Sequence, residues 1–143
     1  SSDLQCYQAN LALRPGCKLI GTDACVPISA LAECIAQTQA DVAESGLVAP
    51  LAGHVGDGNF HLGIVFDPAD PEQRRRADAL AERVAERAIR FGGTCSGEHG
   101  IGLHRIHQLA AEHGEAVSLM WAVKRALDPL GIMNPGKMLP LPG

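Results

Sequence analysis

Apolar residues recur along this chain with two different periods, one typical of strands and the other typical of helices. Over residues 59–66 every second residue is apolar, which predicts a strand with one buried face. Over residues 30–45 and 70–91 apolar residues recur every three or four positions, which predicts two amphipathic helices. Ser29 is expected to cap the first helix and Gly46 to end it. The buried face of the strand is expected to consist of Phe60, Leu62, Ile64 and Phe66.

The second helix has the stronger start signal. Asp70 is a predicted cap, Pro71 suits the first helical position, and Gln73 could complete a capping box. Together with the predicted strands, the order is β-α-β-β-α-β, which is typical of an α+β, ferredoxin-like antiparallel sheet with its helices on one face. The predicted strands are residues 18–26, 48–55, 59–66 and 94–96, and C-terminal helices are expected near 102–113 and 115–128.

Composition and charge exclude several classes of protein. The 143 residues suit one domain, and a net charge of −4 with few aromatic residues argues against a nucleic-acid-binding surface. Five cysteines without a C-x-x-C pair indicate reduced thiols rather than a disulfide framework. No apolar run is long enough to span a bilayer, and no signal-peptide pattern opens the chain. These features predict a cytoplasmic location.

The segment GHVGDGNFH, residues 53–61, is the main candidate for chemistry. Its central Asp-Gly dipeptide lies between apolar residues, which is a strong signal for a two-residue hairpin turn. Such a turn would place His54 directly opposite His61 on one sheet face, so that both imidazoles could bind one metal ion. Small residues on the same face would leave room for a ligand. These neighbours are Ala52, Gly63 and Val65.

A second glycine-rich segment, residues 97–102, places Glu98 beside His99. Adjacent side chains of an extended segment point in opposite directions, so one could reach the histidine pair while the other faces a neighbouring site. Two histidines and one carboxylate form an open transition-metal site. The alternatives are ordinary core or surface histidines, and a closed zinc site with Cys25 or Cys95, neither of which has metal-like spacing. The histidines expected at the surface are His104, His107 and His113.

Four motifs in matching order resemble the C-terminal domain of FAD-linked 2-hydroxyacid oxidases and dehydrogenases, which belong to the vanillyl-alcohol oxidase flavoprotein group. Within that group the chain is most similar to the branch of cytochrome-linked D-lactate dehydrogenases and glycolate oxidase FAD subunits. The resemblance covers nearly the whole chain. The motifs are TDACVPIS at 22–29, GHVGDGNFH at 53–61, SGEHGIG at 96–102, and LDP at 127–129 with NPGK at 134–137.

The resemblance implies a substrate, two cofactors and a set of site residues. The substrate would be a small D-2-hydroxy acid, D-lactate or glycolate, which is oxidised to the 2-oxo acid. The cofactors would be FAD and a divalent metal, commonly zinc, manganese or iron. By the same resemblance, His54, His61 and Glu98 would be metal ligands, His99 the general base, Asn59 a residue lining the site, and Asn134 a residue near the flavin.

The resemblance also implies a domain organisation. Residues 1–143 would be the C-terminal part of a longer enzyme, comprising the cap and the final helical segment, without the FAD-binding domain. The isolated fragment is then expected to be inactive. Its partners would be the FAD-binding domain and an electron acceptor, through which it could associate with a membrane. The apolar surface that normally contacts the missing domain could instead support a homo-oligomer.

Two departures from the family pattern concern the substrate, and two other functions stay open. Family members usually have an arginine before the first strand that binds the substrate carboxylate, but residues 4–7 of this chain contain none. Relatives acting on 2-hydroxyglutarate resemble a pattern with asparagine two residues after the second histidine, where this chain has Gly63. Gly63 therefore favours a substrate without a second carboxylate.

One alternative function is a stand-alone metal-binding or sensory module. The other is a small zinc hydrolase with Glu98 or His99 as base, although the chain has no H-E-x-x-H motif.

Overall fold

The computed structural model of the protein describes residues 8–139, and the chain divides into two compact units, Ser1–Gly97 and Glu98–Gly143. The first unit combines an antiparallel sheet with two long helices, and the second contains two shorter helices. The strands are β1 (Lys18–Gly21), β2 (Ala24–Cys25), β3 (Leu51–His54) and β4 (Asn59–Phe66); the helices are α1 (Ile28–Ser45), α2 (Pro71–Arg90), α3 (Ile106–His113) and α4 (Ala116–Leu127).

Strand β4 is the centre of the sheet. Phe60 pairs with β2 on one side and with β3 on the other. Val65 pairs with Leu19 of β1 and forms a bridge to Val48, which precedes β3. Strands β1 and β2 therefore lie along the same side of β4, as two pieces of one interrupted strand. All of these pairings are antiparallel.

The predicted α+β class is confirmed, and three predicted strands are shorter than expected. The strand predicted at 48–55 is limited to Leu51–His54, with a separate bridge between Val48 and Val65. The strand predicted at 18–26 is interrupted between Gly21 and Ala24. The strand predicted at 94–96 is reduced to one bridge, in which Thr94 exchanges backbone hydrogen bonds of 3.1 and 2.8 Å with Cys25. The sheet therefore keeps the predicted antiparallel arrangement, with the bridge beyond β2.

One face of β4 forms the core with both long helices, as the alternating pattern predicts. Leu31 and Cys34 of α1 and Leu80 and Val84 of α2 pack in the same cluster as this face. The burial removes these apolar side chains from water, which is the main favourable term in folding. The four predicted core residues of β4 are all buried: Phe60, Leu62, Ile64 and Phe66.

The helix ends follow the predictions in part. Helix α1 begins at Ile28 rather than after a Ser29 cap, because Ala30 N already donates to Pro27 O at 2.8 Å. It ends at Ser45, followed by Gly46 in the predicted left-handed conformation (φ 65°). Helix α3 begins later than the predicted residue 102, after a turn in which Arg105 N donates to the Gly102 carbonyl at 3.0 Å.

The Asp70 cap of α2 is confirmed, but the reciprocal capping box is not formed. Asp70 Oδ1 accepts from the backbone N–H groups of Glu72 and Gln73 at 2.9 and 3.2 Å. The Asp70 N–H donates instead to Asp67 O at 3.1 Å, so Gln73 is not needed there. The Gln73 amide donates to Asp70 Oδ2 at 3.0 Å.

Among the described residues, no helix has the length and apolarity needed to cross a bilayer.

A buried ion pair joins the two long helices. Arg87 of α2 is 7% exposed, forms a short ion pair with Asp41 of α1 and donates to Thr38 Oγ1 at 3.0 Å. Removing one partner of a buried pair leaves the other charge without compensation. Arg87→Ala is therefore expected to lower the free energy of unfolding in urea by about 3–5 kcal/mol.

A surface pair provides the control for this prediction. Arg75 and Glu72 also form an ion pair, but both side chains are exposed. Arg75→Ala is expected to change the free energy of unfolding by less than about 1 kcal/mol. Equal losses in the two variants would contradict a special contribution from the buried pair.

Candidate metal and substrate site

The two histidines of the hairpin share one sheet face but are not directly opposed. Strand pairing places His54 opposite Asn59 and His61 opposite Ala52, so the predicted opposition of the two histidines is wrong. The register differs from the predicted one by two residues, which keeps both imidazoles on the same face as diagonal neighbours. Their ring centroids lie 6.3 Å apart, with the rings nearly perpendicular.

A contact with another segment explains the different turn. Strands β3 and β4 are joined by a 3₁₀ turn, Val55–Asp57, followed by Gly58 at φ 75°. Gly58 O accepts from Val26 N at 3.0 Å, and a Cβ at Gly58 would lie 2.1 Å from Val26 O. The close approach of Val26 therefore requires glycine at position 58. The hydrogen bond between Val26 and Gly58 stabilises a turn that is longer than the two-residue turn predicted from the Asp-Gly dipeptide.

The ring of His61 is held in the tautomer that a metal ligand requires. Its Nδ1 lies 3.2 Å from the Thr22 carbonyl oxygen, which can only accept a hydrogen bond. Nδ1 therefore carries the hydrogen, and the lone pair resides on Nε2, which is buried. A metal-binding histidine is usually oriented in this way, by a hydrogen bond from its other ring nitrogen.

The residue that sequence reasoning missed is Asp23. It lies in the interruption between β1 and β2 and is 1% exposed. One carboxylate oxygen lies 3.6 Å from His61 Nδ1, and the other accepts from Ser96 Oγ at 3.2 Å. An acidic residue in the middle of the predicted strand 18–26 was the available signal, because burying a carboxylate is costly unless it is paired.

Asp23 lies where the outer partner of a metal-binding histidine would lie, next to Nδ1 of His61. A carboxylate near the second ring nitrogen of a ligand fixes the ring and raises its basicity. Asp23→Asn is expected to weaken binding of Zn²⁺ or Mn²⁺ by about 10–100-fold, measured by calorimetry on this chain. Asp78→Asn on the exposed face of α2 makes the same charge change and should leave the affinity unaltered. Equal affinities for wild type and Asp23→Asn would contradict this assignment.

Asn59 contributes a buried acceptor to the same face. Its side chain is enclosed, at 6% exposure, and a Cβ at Gly97 would lie 2.7 Å from Asn59 Nδ2. Within the described part of the chain, Asn59 Oδ1 is buried and has no hydrogen-bond partner. Because a buried acceptor without a partner costs free energy, this oxygen fits a site that is completed by a ligand.

Glu98 and His99 begin the second unit, and their side chains converge. The chain bends at residues 97–99, and Glu98 Oε1 lies 3.8 Å from His99 Nε2. The expectation that the two side chains point in opposite directions is therefore wrong, because it assumed an extended segment. Both side chains are exposed to a large extent.

The loop that carries Asn134 is ordered by Asp128 at the end of α4. The carboxylate of Asp128 accepts from the N–H groups of Ile132 and Met133 at 3.0 and 2.9 Å and pairs closely with Lys124. The hydrogen bond from Lys124 and those from the backbone lower the pKa of Asp128. Asn134 itself has a positive φ of 45° and is exposed at the start of the predicted turn.

The small-residue face is less open than the sequence suggests. Val65 is fully buried, and a Cβ at Gly63 would lie 2.1 Å from Asn10 Nδ2. Asn10 belongs to a helical stretch, residues 8–12, that precedes β1. The room expected over Gly63 is therefore filled.

The three histidines predicted at the surface are exposed: His104, His107 and His113.

The family model described as "FAD linked oxidases, C-terminal domain" matches residues 3–138. The chain is 50% identical over 136 residues to "Probable D-lactate dehydrogenase, mitochondrial" of Danio rerio, covering 94% of this chain and 27% of that protein. It is 43% identical over 88 residues to "Glycolate oxidase subunit GlcD" of Escherichia coli K12, covering 61% of this chain and 18% of that protein.

A solved structure supports the fold. The 4-ethylphenol oxidase from Gulosibacter chungangensis, in its isoeugenol complex, superimposes with a TM-score of 0.68 at 18% identity. The match covers 92% of this chain and 26% of that one. At this identity the similarity concerns the fold alone. The chain thus spans about a quarter of the length of the Danio rerio relative and of this neighbour.

Proposed function

This chain belongs to the family of FAD-linked oxidase C-terminal domains, and on that basis we propose that it is the substrate- and metal-binding part of a flavin-dependent oxidoreductase. The substrate is a small D-2-hydroxy acid, D-lactate or glycolate, and the product is the 2-oxo acid. The observation that carries the proposal is the orientation of His61. Its Nδ1 faces the Thr22 carbonyl, so its Nε2 carries the lone pair with which an imidazole binds a metal, on the face shared with His54.

The proposed metal ligands are His54, His61 and Glu98, and the residues fit a divalent cation. Imidazole nitrogens and a carboxylate suit zinc, manganese and iron alike. Glu98 follows Gly97 directly in the chain, and Gly97 packs against Asn59 on the histidine face. When bound, the cation would supply a Lewis acid that lowers the pKa of the substrate hydroxyl.

The remaining roles belong to His99, Asn59 and Asn134. We assign to His99 the removal of the hydroxyl proton, since imidazole is the side chain most often used for this transfer near neutral pH. Asn59 offers its buried Oδ1 as an acceptor for a bound water. Asn134 is proposed to lie near the flavin, which would accept the hydride.

An exposed apolar stripe on α4 supports an FAD-binding domain of the same protein as a partner. Leu119, Val123 and Leu127 are exposed and recur at every fourth position, so they lie along one side of the helix. Exposed apolar surface of this kind marks an interaction site. In the absence of that domain, a second copy of the chain is the proposed occupant. No nucleic acid is proposed as a partner.

Location and electron acceptor also remain proposals. The sequence patterns predict a cytoplasmic location, whereas the D-lactate dehydrogenase relatives from Danio rerio and Arabidopsis thaliana are named mitochondrial. The electron acceptor would be a separate protein or small molecule, through which the enzyme could associate with a membrane.

The test uses this chain joined to the flavin-binding domain of the same protein. With FAD bound, oxidation of D-lactate or glycolate is measured with an artificial electron acceptor. We expect turnover of at least one acid, loss of turnover after chelation, and recovery on adding Zn²⁺ or Mn²⁺. Metal binding without turnover of either acid would instead support the stand-alone metal-binding module.

A further inference from the structure

We propose that Ser96 is a positioning residue of the metal site, which connects the hairpin ligand His61 with the segment that leads to Glu98. The connection runs through the buried carboxylate of Asp23. The inference rests on the proposed function, because it presupposes that His61 and Glu98 bind a metal. Ser96 itself is assigned no contact with the metal or the substrate.

Residues 93–97 form a strap that lies directly against strand β2. Thr94 exchanges backbone hydrogen bonds of 3.1 and 2.8 Å with Cys25. A Cβ at Gly93 would lie 2.0 Å from Cys25 O, and a Cβ at Gly97 would lie 3.0 Å from Cys25 Cβ. Because neither glycine has room for a side chain, the backbone of the strap is held close to the sheet at both ends.

Ser96 is the point at which the strap contacts the carboxylate beside His61. Its Oγ donates to Asp23 Oδ2 at 3.2 Å, and Asp23 Oδ1 lies 3.6 Å from His61 Nδ1. The backbone of Ser96 is held as well, since its N–H donates to Thr94 Oγ1 at 3.2 Å. Asp23 is 1% exposed, and a buried carboxylate needs hydrogen-bond donors. One carboxylate thus contacts both the strap and the ring of His61.

This shared carboxylate has a consequence for the proposed ligand Glu98. Glu98 follows Ser96 by two residues, so the two Cα atoms are at most about 7–8 Å apart. A ligand on a segment that is already fixed loses less conformational freedom when it binds. Without the Ser96 hydroxyl, Asp23 would lose a donor and the strap would lose an attachment close to Glu98. Both effects weaken metal binding.

The experiment measures binding of Mn²⁺ by calorimetry to the metal-free enzyme that carries its flavin-binding domain. Ser96→Ala is expected to raise the dissociation constant about tenfold, the lower end of the effect of losing an outer partner of a ligand. Ser96→Thr keeps a hydroxyl at this position and should bind Mn²⁺ like the wild type. Urea unfolding of the metal-free variants verifies that each of them is folded.

A serine elsewhere in the chain provides the matched control. Ser118 of α4 also donates through its hydroxyl, to the Glu115 carbonyl at 2.7 Å, but at an exposed position. Ser118→Ala therefore removes the same atom and one hydrogen bond, and the affinity for Mn²⁺ should stay unaltered.

A double-mutant cycle tests whether Ser96 acts through Asp23. Two residues that act through one contact have non-additive effects, whereas independent effects on a dissociation constant multiply. In the background of Asp23→Asn, Ser96→Ala is therefore expected to raise the dissociation constant by much less than tenfold. A purely structural contribution of Ser96 would give the same factor in both backgrounds.

The outcomes distinguish this inference from the function on which it rests. If the wild-type enzyme binds no Mn²⁺, the proposed metal site fails and the role of Ser96 with it. If the wild type binds Mn²⁺ and Ser96→Ala binds it equally well, only the role of Ser96 fails. Effects of Ser96→Ala and Asp23→Asn that simply multiply would also overturn this role, because Ser96 would then act independently of the carboxylate.

Discussion

His61→Ala is expected to weaken binding of Zn²⁺ or Mn²⁺ to this chain by more than about 100-fold. This loss exceeds the one expected for Asp23→Asn, because His61 is itself a proposed ligand and Asp23 only its outer partner. The reason is the preorganised ring: Nδ1 is engaged by the Thr22 carbonyl, and the buried Nε2 carries the lone pair. The measurement is metal content by elemental analysis after dialysis, together with the dissociation constant by calorimetry.

His107→Ala provides the matched control for this loss. It also removes one imidazole, but from an exposed position on α3, so the metal content should not change. His54→Ala and Glu98→Ala test the other proposed ligands in the same assay. Full metal retention in all three ligand variants would refute the metal site, whatever the activity of the complete enzyme.

His99→Gln is expected to lower kcat for D-lactate or glycolate by about 10²–10⁴-fold in the enzyme with its flavin-binding domain, the usual contribution of a general base. Glutamine has no basic ring nitrogen and cannot take the hydroxyl proton at neutral pH. The metal content should stay at the wild-type level, since His99 is not a proposed ligand. Turnover and metal content are measured on the same preparation.

Glu98→Gln supplies the contrast, because its side chain approaches His99 to 3.8 Å and the two could exchange roles. This variant should lose metal as well as turnover. If His99→Gln lost the metal and Glu98→Gln retained it, the two assignments would be reversed. A decrease in kcat of less than tenfold in His99→Gln would exclude it as the general base.

Asp23 shows why part of the site could not be predicted from motifs alone. The hairpin histidines were recognisable because a short segment contains both of them. Asp23 lies 38 positions before His61, and its carboxylate approaches the ring only because β1 and β2 pair with β4. The sequence showed an acidic residue within a predicted strand, but it did not show which residue this carboxylate contacts.

Gly63 illustrates the opposite error. The sequence predicts room above this glycine. The structure places the carboxamide of Asn10 in that space, from a segment that precedes β1.

The sequence by itself determined the elements whose signals are local. Alternation over 59–66 identified the buried face of β4, and the cap at Asp70 and the left-handed glycine at Gly46 are where the sequence predicted them. These features depend on residues within one or two turns of each other, so their physics is contained in short segments.

Only the tertiary structure decided register and surroundings. Val26 packs on Gly58 and holds a longer turn, which shifts the pairing of His54 and His61 by two residues. Because side chains alternate with a period of two, this shift changed the partners of both histidines and kept their common face. The predicted pair therefore survived an incorrect register, whereas the contacts of Asp23 and Asn10 required the folded chain.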